Sequence, residues 1–118
     1  MNDSRIQLVV KEIIAGDAAV STDDGDIVYR RIEEQFTLRN KVDLDFNGIT
    51  LMTTAFLNAA IGQLYSSHTS AYLNENLALV QVSADDKGLF RIVIERAKEY
   101  FANKDSFNKS ADDAIHGS

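Results

Sequence analysis

The chain contains no cysteine, which excludes disulfides, thiol catalysis and thiolate metal sites together. No apolar run approaches the roughly 20 residues that span a bilayer, and the opening residues, MNDSRIQ, carry no secretory apolar core. A cytoplasmic location without membrane contact is the expectation. The two histidines, His68 and His116, do not stand as a ligand pair at helical spacing, so neither a metal nor a cofactor is expected. Glycine-rich phosphate loops are missing, both GxxxxGK before a hydroxyl and GxGxxG. Clusters of Lys and Arg interleaved with aromatics are missing too, and a net charge of -6 repels a phosphate backbone. Nucleic acid is therefore not an expected partner.

A further absence is local. From Phe46 to Asn74 there is no Asp, Glu, Lys or Arg, although the flanking segments carry them freely. An exposed helix face normally bears charge, so an uncharged one is either a docking surface or a buried one. Asn58, Ala59, Gly62 and Gln63 form that face and are read here as candidate docking residues, with burial as the competing explanation.

The same region holds the clearest structural pattern. Val42-Asp43-Leu44-Asp45-Phe46 alternates apolar and acidic residues, as a strand with one buried face does. Asn47-Gly48 ends it, since both residues tolerate positive φ. Thr53 or Thr54 can cap a following helix whose apolar residues Phe56, Leu57, Ala60, Ile61, Leu64 and Tyr65 recur at helical spacing. Asp43 and Asp45 share one face of the strand, but no nucleophile, metal ligand or phosphate loop accompanies them, so no catalytic residue is assigned.

Around this unit the chain alternates strands and helices. Ile6 to Ile14, rich in β-branched residues, reads as a strand, with a turn at Ala15-Gly16-Asp17 and a short return strand at Ala18 to Ser21, an antiparallel hairpin. Ser21 to Asp24 can cap a helix carrying Val28, Ile32 and Phe36 at i, i+4 and i+8. Ser66 to Asn76 reads as a loop, Leu77 to Val82 as a buried strand, and Ser83 with Asp86 as the start of a helix. That third helix places Leu89, Phe90, Val93, Ile94, Ala97, Tyr100 and Phe101 on one wide apolar stripe. Its periodicity ends at Phe101. The expected organisation is one α/β domain over residues 1–104, with a mainly parallel sheet, an N-terminal antiparallel hairpin and about three helices, followed by a polar, mobile tail over residues 105–118.

The run LDFNGITLMTTAFL resembles the central signature of STAS domains, the anti-sigma-factor antagonist module. DFNG, its spacing to Thr54-Ala55-Phe56-Leu57, and the later strand and amphipathic helix are similar to the STAS-like family of bacterial and archaeal proteins, a likeness covering most of Ile6 to Phe101. The resemblance implies a non-enzymatic regulatory module that docks a protein partner, such as a histidine-kinase-like ATPase or an anti-sigma-type switch kinase. It implies docking through Thr53 to Gln63, with Asp45, Asn47 and Gly48 in the switch loop and Thr54 as candidate phosphoacceptor. Two departures accompany it: Ala55 stands where the family's phosphorylated hydroxyl commonly lies, and Asn58-Ala59 replaces a frequent acidic pair. The alternative reading is a small-molecule or nucleotide sensor at the same loop edge.

Overall fold

The structure, a computed structural model, describes residues 4–116, with side chains described as far as Ala102. The main sheet has three parallel strands in the order β1 (Arg5–Val9), β3 (Lys41–Asp45), β5 (Leu77–Val80), and a second, two-stranded parallel pair joins β2 (Ala18–Ala19) to β4 (Leu51–Met52). Five α-helices accompany them: α1 (Val10–Ile14), α2 (Thr22–Thr37), α3 (Thr54–Ala60), α4 (Ser70–Asn76) and α5 (Ala84–His116). A 3-10 turn, Gly62–Ser66, continues α3.

Alternation along the strands sorts the main sheet into two faces. Leu8, Val42 and Leu44 lie in the core, whereas Arg5, Gln7, Asp43 and Asp45 share the opposite face. There Arg5 Nε meets Asp43 Oδ1 at 2.7 Å and Gln7 Nε2 donates to Asp45 Oδ2 at 2.6 Å. The two carboxylates thus bind separate partners on β1.

The expected antiparallel hairpin does not form. Lys11 and Glu12 are consecutive and both exposed, which a strand with one buried face cannot satisfy. A helix can, because Val10, Ile13 and Ile14 fall at i, i+3 and i+4, with Val10 fully buried and the two isoleucines packed against the core. Ala15, at φ 56°, closes α1 in the left-handed region, with its N–H directed to the Lys11 carbonyl. The chain then turns into β2, which pairs with β4 in parallel rather than with β1.

The segment expected as a loop after Ser66 is also largely helical. Thr69 caps α4 by accepting from the Tyr72 N–H at 3.0 Å, and Leu73 anchors it in the core. Seven residues with one buried side chain give too short a periodicity to read. The described residues accordingly form five α-helices, against about three expected. At the other end, α5 continues past Phe101 to His116. The tail expected over residues 105–118 therefore has helical backbone as far as His116, while its side chains and residues 117–118 lie outside the described part.

The tightest contact between helices is made by α2 and α3. A Cβ on Gly25 would stand 2.5 Å from the Phe56 carbonyl oxygen and 2.7 Å from the Ala59 Cβ, so only glycine permits this approach. Ala59, expected on an exposed docking face, is only 5% exposed because α2 covers it. Gly62 is buried as well, with the Ala97 Cβ of α5 lying 3.8 Å from where its own Cβ would be.

Candidate functional site

β3 and β5 are neighbours, so the loops leaving their carboxyl ends lie side by side. Asp45 shapes the first loop: its Oδ1 accepts from the Asn47 N–H at 2.8 Å while Oδ2 is held by Gln7, and the residue is 8% exposed. The carboxylate is a buried turn-former rather than an open group at the mouth of the loop. Phe46 packs edge-on against Phe90 of α5, with ring centroids 4.9 Å apart. Gly48 follows at φ 84°, and the aliphatic stem of Lys11 covers it so closely that a Cβ would lie 2.9 Å from the Lys11 Cδ.

The second loop starts at Gln81, whose φ of 59° turns the chain sharply out of β5. The Ser83 hydroxyl donates to Asp86 Oδ2 at 2.9 Å and accepts from the Asp86 N–H at 3.3 Å, the capping interaction expected at the start of α5. Between the loops lies a cavity of about 270 Å³, bordered by Asn47, Gly48, Met52, Gln81, Ser83 and Asp86. Neighbouring parallel strands bring the two loops together here.

Thr50 to Thr53 carries the chain from this cavity to α3. The Thr50 N–H bonds the Asp17 carbonyl at 2.8 Å and the Thr53 N–H bonds the Ala19 carbonyl at 3.1 Å, flanking the β2–β4 pairing. Thr53 is the cap, with its hydroxyl donating to the Val20 carbonyl at 2.7 Å and accepting from the Phe56 N–H at 3.2 Å. Thr54, the first residue of α3, is exposed and its hydroxyl bonds no other described residue. The two adjacent hydroxyls are therefore inequivalent.

The remaining candidates separate along α3. Asn58 is exposed, and with Gly62, Ala97 and Tyr100 it borders a groove of about 290 Å³ between the 3-10 turn and α5. Gln63 is turned inward, donating to Asp26 Oδ1 at 2.6 Å and the Ala59 carbonyl at 2.8 Å. The structure thus brings together Asn47, Gly48 and Ser83 at the cavity, leaves Thr54 and Asn58 open on α3, and withdraws Ala59. Lys11 and Gln81 were missed as members of the edge. Only Lys11 left a signal, in the helical spacing of Val10, Ile13 and Ile14.

These elements define an α/β domain whose accessible loops gather at the carboxyl edge of a parallel sheet. The sequence model described as STAS-like domain of unknown function (DUF4325) matches residues 24–87, more than half of the chain, and the chain belongs to that family. The match runs from the first turn of α2 to the first turn of α5 and includes both loops of the edge. No curated protein and no solved structure matches the chain.

Proposed function

We propose that this chain is a non-enzymatic regulatory module that binds a protein partner through the carboxyl edge of its sheet and the first turn of α3. The docking surface on this reading comprises Asn47, Gly48, Thr54, Asn58 and Ser83, with Thr53 supporting it as a cap. A histidine-kinase-like ATPase or anti-sigma-type switch kinase is the proposed partner, from the resemblance to STAS antagonists. The observation that carries the reading is the division of labour at the helix start: Thr53 holds the cap, so the exposed Thr54 hydroxyl has no structural duty. Thr54 is accordingly the proposed phosphoacceptor, one position ahead of Ala55. A phosphate there adds roughly two negative charges, and the partner interface must then accommodate them.

Pull-down from the native host tests the docking, and incubation of the recovered kinase with ATP followed by intact-mass measurement tests the switch. A phosphate lost in Thr54→Val and kept in Thr53→Val supports the proposal. With an active kinase and no mass gain, the switch is wrong. Recovery of metabolites alone counts against protein docking.

The cavity at the edge favours one second reading, a small-molecule or nucleotide sensor. At about 270 Å³ it is below the ~300–1,000 Å³ usual for ligand pockets, which places this reading second. A nucleotide bound there at 100 times its dissociation constant would stabilise the fold by about 2.7 kcal/mol in a thermal-shift screen. No shift across the screen retires the sensor reading for those compounds.

A further inference from the structure

Another cavity lies away from the edge, near the other end of the described part of α5. It encloses about 310 Å³ and is bordered by the connection from the 3-10 turn to α4, including Ser66, Ser67, His68, Thr69 and Ser70, and by Lys98. Four of the five consecutive residues 66–70 in the lining carry a hydroxyl. The connection is pinned at its centre, where His68 Nε2 meets Glu33 Oε1 at 2.5 Å and the ring stacks on Tyr72 at 4.9 Å. Ser66 and Thr69 have local backbone partners, whereas the Ser67 and Ser70 hydroxyls bond no other described residue. Lys98 has no carboxylate within 4.0 Å among the described residues.

The charge gap noted in the sequence has its consequence here. In a chain with 18 acidic residues, the described lining of this cavity contains no carboxylate and does contain a lysine. An anion entering it meets hydroxyl groups and an ammonium, with no carboxylate among the described lining residues. Tyr65 and Phe101 supply an apolar wall beside the polar one. Burial raises the Tyr65 phenol above its ordinary value of 10.0, so it stays neutral at physiological pH. The volume suits a phosphate with a small organic group, since sites for larger ligands occupy the upper part of the ~300–1,000 Å³ range.

We infer that this cavity is a binding site for a small phosphomonoester, with Lys98 and the Ser67 and Ser70 hydroxyls holding the phosphate and Tyr65 and Phe101 flanking the organic part. The site is separate from the edge cavity, with which it shares no bordering residue.

The test uses the full chain and glycerol phosphate as the probe, at constant pH and ionic strength. The chain has only two histidines, so the imidazole C–H resonances form two sets, assigned with His116→Gln. Glycerol phosphate should move the His68 resonance saturably, while glycerol and potassium chloride should not. Lys98→Gln should weaken binding about tenfold, the value of one charge-assisted contact. Ser67→Ala should weaken it less. Lys87→Gln makes the same charge change on the first turn of α5, outside the cavity, and should leave affinity unchanged. A His68 resonance that stays still, that responds equally to glycerol or chloride, or that titrates unchanged in a folded Lys98→Gln variant overturns the assignment. An equal loss in Lys87→Gln also overturns it, by reducing the effect to net charge.

Discussion

Helices α3 and α5 pack against each other, yet they meet the solvent in opposite ways. Among the described side chains of α5 the buried residues are Phe90, Val93 and Ala97, while Arg91, Glu95, Arg96, Lys98 and Glu99 stand exposed around them. That is a helix covered on one side. α3 carries no charge, and Phe56, Leu57, Ala59 and Ala60 are all buried because α2 closes on one flank and α5 approaches another. The absence of charge on α3 therefore records burial from more than one direction. Exposed, uncharged surface survives on α3 at its start, at Thr54 and Ala55, and at Asn58.

The largest effect expected from this contrast is at Ala59. Ala59→Arg forces a long cation against Gly25 and should destabilise the fold by at least about 4 kcal/mol. Urea unfolding measures this, and a stably folded variant would show that α2 does not close over α3. Gly25→Ala tests the same contact from the other side. Its methyl meets backbone at Phe56, so about 2 kcal/mol should be lost even though alanine favours a helix. Thr53→Ala removes the cap and should cost about 1 kcal/mol. Thr54→Ala, one residue along, should stay within about 0.5 kcal/mol, and equal losses at the two threonines would remove the distinction on which the proposed switch depends. On α5, Ile92→Lys changes a residue that is 44% exposed, and its stability should also stay within about 0.5 kcal/mol.

Legibility in the sequence followed the range of the interaction. The strand ending at Asp45, the break at Asn47-Gly48, the helix after Thr53, and the capping pair of Ser83 and Asp86 all rest on residues a few positions apart. Each was readable as a pattern. The meeting of the two loops was also readable, because it follows from neighbouring parallel strands. The contact of Gly25 with Ala59 joins residues far apart in the chain, and nothing local marks it. The same holds for Gln63 and Asp26, which made a half-buried glutamine look like a free polar side chain. Val10 to Ile14 failed for another reason. Its β-branched residues favour a strand, but the positions of Lys11 and Glu12 decide for a helix, so burial outweighed propensity. Along α5, the broad apolar stripe overstated burial at its end, where Tyr100 is 59% exposed.

The crossing at Gly25 has a mechanical consequence. Backbone and methyl group meet there without a flexible side chain between them, and the bond from Gln63 to Asp26 ties the same two regions again at the next residue of α2. Sliding one helix over the other would need atoms to overlap or a void to open, and close-packed interiors resist both. α2 and α3 therefore act as a single lever. At the far end of α2 the Phe36 ring packs edge-on against both His68 and Tyr72, so this rigid pair spans from α3 to α4.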